Sequence, residues 1–471
     1  MKYTFFALFI ALTYSCTDTP TKAYFAGEIV NPNMDYVYLH HNNKLIDSSL
    51  LDDNNRFSFE VDDVKEGLYH FDHNEYQYII LEKGDSLLMR LNTLDFDESL
   101  VYSGLGAEKN NFLIDIFLIY EDEEQVVNRF SELPPKEFLH KIDSLKGMKE
   151  ELLADINASE PLSPISMHIA KDAINYRYFT DMEEYPFINK RRNGTKGIPE
   201  LPETFYDFRK QVDYNDTLLT YYRPYFNYLI THFNNLAYSS CKDKCDGDID
   251  RIQNSLHYSI HKLKLIDKAI TENKTIRDNL NRNVAFTYLL GGHSVASNEK
   301  FIDSFNKYAG NNQHIEEVTD FYENVQNLQK GLTLPPIHLV DIKGNKITMD
   351  STTYAKNTVF YFWNFHQKSH QANVLNRISR LKKEYPDYNY VGVNVNKDRK
   401  EWLDNLEFIS NKGDTLPQYQ TDNIDELLAT LVIKSLNKII VVDKNGKIIE
   451  GFGDIFDGRN LETSLKESIK N

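Results

Sequence analysis

Three cysteines in 471 residues are too few for a disulfide framework, so any stable core must come from apolar packing. Positive charge is also short. Lysines and arginines number 53 against 70 aspartates and glutamates, a net charge of −17 with histidines neutral. A polyanion is repelled by such a chain unless a local basic patch attracts it, and no strong one exists, so nucleic acid is not an expected partner. The same balance disfavours unaided binding to anionic lipid. Past residue 16, no apolar run approaches the roughly 20 residues that span a bilayer. What the chain has in quantity is aromatic material, 30 Tyr and 28 Phe in a 41% hydrophobic composition, which excludes global disorder. At roughly 150 residues per domain, about three domains are expected.

The N-terminus reads as an address. Lys2 supplies a positive start, residues 5–12 form a short apolar run, and Leu12-Thr13-Tyr14-Ser15-Cys16 follows. This resembles the lipobox of bacterial lipoproteins, although Tyr14 is bulkier than the pattern usually carries. The resemblance implies cleavage after residue 15, acylation of Cys16 and a tether over residues 16–22. Two or more acyl chains on one cysteine give stable anchoring. The alternative is an ordinary secretory signal with an accidental cysteine.

Residues 23–105 are strand-like. Tyr36-Val37-Tyr38-Leu39-His40 is rich in strand formers and Arg56-Phe57-Ser58-Phe59-Glu60-Val61 alternates cleanly. Residues 76–81 and 86–91 continue the pattern, separated by Lys83-Gly84-Asp85. An antiparallel β-sandwich or small barrel is expected. The arrangement resembles the β domain that often precedes thioredoxin-like domains in lipoproteins of Bacteroidetes, and no catalytic constellation is visible in it.

Residues 106–330 shift to helical periodicity, with helices expected over 111–120, 136–157, 218–238, 248–270 and 315–328. The many tyrosines here, as in Tyr221-Tyr222-Arg223-Pro224-Tyr225-Phe226, are read as core and rim packing. Two features carry chemistry. Cys241 and Cys245 are separated by three residues, so a structural disulfide, a redox-active pair and a metal site all stay open. His257 and His261 share a helix face at i,i+4, as paired ligands must, but no third ligand is identifiable; surface or packing roles are the plainer reading.

Residues 331–471 alternate strand and helix. Two strands flank Gly344, and Asn357-Thr358-Val359-Phe360-Tyr361-Phe362-Trp363 is a continuous apolar run of the kind a buried parallel strand requires. A helix over 369–384, a strand over 389–395, helices over 400–409 and 425–432, a hairpin about Lys444-Asn445 and a last helix complete the order. This stretch resembles the membrane-tethered thioredoxins of the TlpA/ResA type. The resemblance rests on Phe362-Trp363 at the strand end, on Pro336, Leu339, Asp341 and Gly344 at the opening, and on Asp443, Gly446 and Lys447 at the hairpin. In that family Trp-Cys-x-x-Cys opens the following helix. Here His366, Gln367, Lys368, Ser369 and His370 occupy the motif, so Gln367 and His370 replace both cysteines. The family's cis-proline position falls on Asn437.

Disulfide exchange needs a thiolate at a helix N-terminus and a second thiol to resolve the mixed disulfide. Neither Gln367 nor His370 can serve. A cis bond before a non-proline residue costs roughly 3 kcal/mol, so a trans bond is expected before Asn437. The expected protein is therefore lipid-anchored at the cell envelope, with a β domain, a helical middle and a redox-degenerate thioredoxin-like end. Its expected role is non-catalytic binding of an extracytoplasmic protein or peptide, without a cofactor. Thiol–disulfide exchange by Cys241 and Cys245 is the enzymatic alternative. Metal binding at His366 and His370 is the third.

Overall fold

A computed structural model describes residues 21–241, 249–353, 356–410 and 416–469. Cys16, the expected signal segment and Cys245 lie outside the described residues. The chain forms two compact units that divide between His232 and Phe233, within the helical region.

The first unit opens with strands β1 (Ala23–Val30), β2 (Tyr36–His41), β3 (Lys44–Leu50), β4 (Arg56–Val61), β5 (Gly67–Asp72), β6 (Tyr76–Leu81) and β7 (Ser86–Asn92). A single-turn helix α1 (Phe96–Ser99) and strand β8 (Val101–Leu105) follow. They make two four-stranded sheets, ordered β4-β1-β7-β8 and β3-β2-β5-β6. Alternation sets the faces. In β4 every second residue is buried, and Phe57 and Phe59 join Phe25 and Phe71 in the core. Phe25 lies 5.5 Å from Phe71 of the opposite sheet, ring centre to ring centre. Asn42 and Asn43 both take positive φ, the conformation that closes a two-residue hairpin between β2 and β3. The expectation of a wholly antiparallel domain needs one correction. Strands β1 and β7 pair in parallel because the chain passes through the other sheet between them.

Helices α2 (Ala107–Phe130), α3 (Pro135–Ser159) and α4 (Pro164–Asn193) follow, and α5 (Arg223–Cys241) runs across the division. Pro135 and Pro164 stand where a missing N–H costs nothing, and Ser163 caps α4 by accepting the Ser166 N–H. Helix α2 seals the edge of β6. The buried Asn110 amide accepts the Ile80 N–H at 2.7 Å and donates to the Ile80 carbonyl at 3.0 Å, as a neighbouring strand would. Beside it, Lys109 is buried with its ammonium 2.6 Å from Glu82 and 2.7 Å from Asp85. Ser163 and Ser166 of the α4 start also donate to Glu82. One charge cluster thus joins the β6–β7 turn to α2 and α4.

The second unit continues with α6 (Ile249–Gln253), α7 (Leu256–Ala269), α8 (Lys274–Leu289), α9 (Val295–Ala309) and α10 (Ile315–Asn327). The single helix expected over 248–270 is broken, because Ser255 accepts the Tyr258 N–H and starts a new helix. Then come β9 (His338–Val340), β10 (Lys346–Thr348), β11 (Thr358–Trp363), α11 (Lys368–Glu384), β12 (Asn389–Asn394), α12 (Arg399–Ser410), β13 (Gln418–Thr421), α13 (Ile424–Thr430), β14 (Lys438–Val442), β15 (Ile448–Asp454) and α14 (Gly458–Ile469). They form a seven-stranded sheet ordered β10-β9-β13-β12-β11-β14-β15. Strands β11, β12 and β13 run parallel, while β14 and β15 are antiparallel to their neighbours. All six residues of β11 are buried, as a strand covered on both faces must be. The segment after α10 lies along β15: Gly331 donates to the Ile448 carbonyl and Ile448 to the Leu332 carbonyl. Gly451 permits that approach, since a Cβ there would sit 2.1 Å from the Leu328 carbonyl oxygen.

The Lys109 cluster makes a quantitative test. Burial alone would raise the Glu82 carboxyl, but Lys109 and the two serines outweigh it and hold the pKa below the usual range. For Asp85 burial wins and the pKa is raised. Glu82 therefore adds stability that is lost as pH falls, and Asp85 has the opposite sign. Replacing Lys109 by Met strands two buried carboxylates. The unfolding free energy at pH 7 is expected to drop by about 3–5 kcal/mol, with part of the loss recovered near about pH 4. Equal losses at both pH values would refute the electrostatic reading.

Candidate functional site

Strand β11 delivers the chain to the start of α11, where His366, Gln367 and His370 were expected. Trp363, its last residue, is fully buried and held by a side-chain relay. Its indole N–H donates to Gln418 Oε1 at 3.0 Å, and Gln418 Nε2 donates to the Tyr361 hydroxyl at 2.7 Å. Gly392 makes room for this relay, because a Cβ there would lie 2.1 Å from Gln418 Oε1. Trp363 is thus part of the framework, and the surface begins after it. Phe365 is buried, and Asn364 Oδ1 accepts the His366 N–H at 2.8 Å, turning the chain into α11.

His366, Gln367, Lys368 and Ser369 are exposed at the start of α11, whereas His370 is half-buried one turn in. Across from it, His370 Nε2 lies 3.1 Å from Asn437 Oδ1, which calls for the Nε2–H tautomer. Residues 67 positions apart are therefore paired at the helix start and at the loop before β14. The other ring nitrogen, Nδ1, is buried without a hydrogen bond, and Phe456 packs edge-on to the ring at 6.4 Å between centres. The peptide bond before Asn437 is trans, as are all others among the described residues.

The loop before β14 contains two features that pattern reading passed over. Val432 takes φ +51°, a left-handed conformation that a β-branched side chain adopts at a cost of about 1–3 kcal/mol. It is locked there by its N–H to Ala429 O and by the Ile433 N–H to Leu428 O at 2.8 Å. Lys438, next to Asn437, is 8% exposed and turns inward. Its ammonium donates to the Val432 carbonyl at 3.3 Å and lies 4.7 Å from the centre of the Phe452 ring. Burial pulls its pKa down to about 7, only partly opposed by the Glu450 carboxylate. A lysine at the head of an apolar strand carries no periodic mark of burial, so only the closed loop reveals it.

The other sequence candidates are dispersed. Cys241 is fully buried against Ala237, Ile252 and Tyr258. The rings of His257 and His261 are nearly parallel with centres 6.3 Å apart, and His261 Nε2 meets Ser240 Oγ at 2.7 Å. Among the described residues, only His168, Asp172 and Asp216 bring three potential ligand atoms within 4.8 Å. These lie in the first unit and were not singled out in the sequence, where Asp216 stands 44 positions beyond Asp172. His168 Nε2 is 2.6 Å from Asp216 Oδ2 and 3.2 Å from Asp172 Oδ2, so the three groups already engage one another. His366 and His370 gain no third ligand from the described residues.

Residues 355–448 match the family model described as thioredoxin-like. The chain carries a thioredoxin-like domain. Similar solved structures include a thiol:disulfide interchange protein from a Bacteroides species, 20% identical over 31% of this chain and 93% of that one, TM-score 0.25. The thioredoxin domain of a thiol-disulfide oxidoreductase from Bacteroides vulgatus is 20% identical over 30% and 97%, TM-score 0.23. A thiol-disulfide oxidoreductase from Bacteroides fragilis is 20% identical over 29% and 98%, TM-score 0.24. No curated protein matches the chain.

Lys438 of the thioredoxin-like domain makes stability depend on pH. Its folded pKa lies below its unfolded value of about 10.4, so the unfolded chain binds the proton more tightly. Stability contributed by this site therefore rises from about pH 7 to about pH 10. Lys438→Met is expected to be the more stable protein at neutral pH, with the gap closing toward about pH 10. Parallel unfolding curves for the two proteins across that range would show that the amine does not titrate there.

Proposed function

We propose that the thioredoxin-like domain is a non-catalytic binding module, which holds an extended segment of a protein or peptide partner over the start of α11. The observation that carries this reading is the hydrogen bond between His370 and Asn437. It joins the two positions where the resembled family places its second cysteine and its cis-proline. A resolving thiol must be free to attack, whereas this imidazole is tied to an amide and half-buried. The exposed Gln367, Lys368 and Ser369 leave hydrogen-bonding groups and backbone beside it for a partner, but no nucleophile of the kind exchange needs.

Burial of Cys241 supports the same reading over the enzymatic alternative, since a thiol packed among Ala237, Ile252 and Tyr258 is poorly placed to attack a client disulfide. An acyl anchor at Cys16, holding the protein at the cell envelope, belongs to this proposal on the strength of the lipobox-like sequence alone. Replacing Cys16 by Ser is expected to abolish incorporation of radiolabelled fatty acid.

Thiol–disulfide exchange with glutathione tests the central claim. The native protein is expected to show none from the α11 start, and Gln367→Cys with His370→Cys is expected to introduce an exchangeable pair there. The native Cys241 and Cys245 are expected to be either unpaired or joined with a potential below about −300 mV. A native potential near about −200 mV, accompanied by turnover of a disulfide client, would overturn the non-catalytic reading in favour of the enzyme.

A further inference from the structure

The first unit carries a partly open pocket of about 530 Å³ that plays no part in the thioredoxin-like site. Small-molecule sites commonly measure about 300–1,000 Å³, so the space is of ligand size. Its walls come from β6, α1, α2, α4 and the start of α5, and they are dominated by tyrosine: Tyr76, Tyr78, Tyr120, Tyr176 and Tyr222.

Four carboxylates also line it, Glu75, Asp97, Glu121 and Glu124, against the two cations Arg177 and Arg223. Arg177 is engaged already: its guanidinium lies 5.9 Å from the Tyr120 ring centre, and its Nε is 3.5 Å from Asp181. Asp97 has a neutral partner, the Gln77 amide at 2.7 Å. Its pKa is pushed up to about 6, first by burial and then by Glu121, Glu75 and Glu98. Negative charge here is crowded and short of counter-charge.

A second observation is independent of the acids. Tyr176 is 2% exposed and Tyr222 7%, yet neither hydroxyl has a hydrogen-bond partner among the described residues. Their neighbours are fully used. Tyr120 donates to the Ile174 carbonyl at 2.8 Å, and Tyr78 donates to the Tyr221 carbonyl while accepting the Arg223 N–H. The two side chains are buried but line the pocket, so hydroxyls unpaired within the chain are places for groups of a ligand.

We propose that this cavity binds a small organic cation, an amine or guanidinium compound, with its charge between the Asp97 and Glu121 carboxylates and the tyrosine faces. The N–H groups of such a ligand donate to the carboxylates and to the Tyr176 and Tyr222 hydroxyl oxygens. Tyrosine rings attract a cation through their negative faces, as Arg177 over Tyr120 already does within the chain. A neutral molecule of the same shape would forgo both contributions, and an anion would be repelled.

Calorimetric titration of the full chain with agmatine and with cadaverine tests this, with pentanol as the neutral probe and glutarate as the anionic one. Saturable one-to-one binding of at least one cation is expected, weakening as salt is raised, with no binding of pentanol or glutarate. The Asp97→Asn, Glu121→Gln double variant is expected to lose about 10-fold or more in affinity, and Tyr176→Phe a smaller factor. Both changes preserve shape, and the thermal unfolding transition of each variant serves as the folding control. If the double variant fails that control, Tyr176→Phe and the neutral probe still decide. Binding of pentanol as tight as agmatine, unchanged affinity in the variants, or no cation binding at millimolar concentration would overturn the proposal. Because the probes are read on the first unit and involve no thiol, the outcome is independent of the glutathione experiment.

Discussion

A single buried ammonium group organises the first unit. Lys109 sits between Glu82 and Asp85 with almost no solvent, and Glu82 in turn takes hydroxyl hydrogen bonds from the two serines that open α4. Two charges buried together repay their desolvation only when geometry and remaining hydrogen bonds are good, and here the lone pairs are taken up from three elements at once. The next residue, Asn110, completes the edge of β6. These two adjacent side chains fix how α2 and α4 meet the sandwich, and so set three of the walls that surround the tyrosine-lined cavity. An apolar contact of equal area would hold the layers together without specifying their register as tightly.

The thioredoxin-like domain holds its framework together through contacts of its own. Strand β11 is buried along its whole length, Trp363 is pinned through Gln418 to Tyr361, and α11 starts from an Asn364 turn. None of these contacts involves the positions that would carry thiols. Gln367 and His370 stand there at the helix start, where His370 meets Asn437.

Legibility in the sequence followed the physics of each element. Strands β4 and β7 bury alternate residues and were visible as alternation, and β11 was visible as an unbroken apolar run. The long α4 was not read. It buries residues around much of its circumference and carries Pro186 in its interior, so no single apolar stripe marks it. The parallel pairing of β1 with β7 depends on strands that lie in the other sheet, which local pattern cannot encode. Gln367, His370 and Asn437 were legible only by alignment to a family motif, and Asn437 was placed by counting back from Asp443. Lys438 and Val432, immediately around it, take their character from burial and backbone angle. The pocket draws on residues between Glu75 and Asn227 in five elements, and the tyrosines of its helical walls read in the sequence as packing.

Val432 has one further consequence. A β-branched residue held in the left-handed region stores conformational energy that a glycine would not, and that energy offsets part of the cost of letting the segment go. The stretch from the end of α13 to Asn437 is therefore expected to open locally before the domain unfolds as a whole. The Ile433 amide should exchange with solvent deuterium ahead of those of the neighbouring β14, even though Ile433 and β14 are both buried in the ground state. Binding of the proposed partner at the start of α11 would register there as slowed exchange.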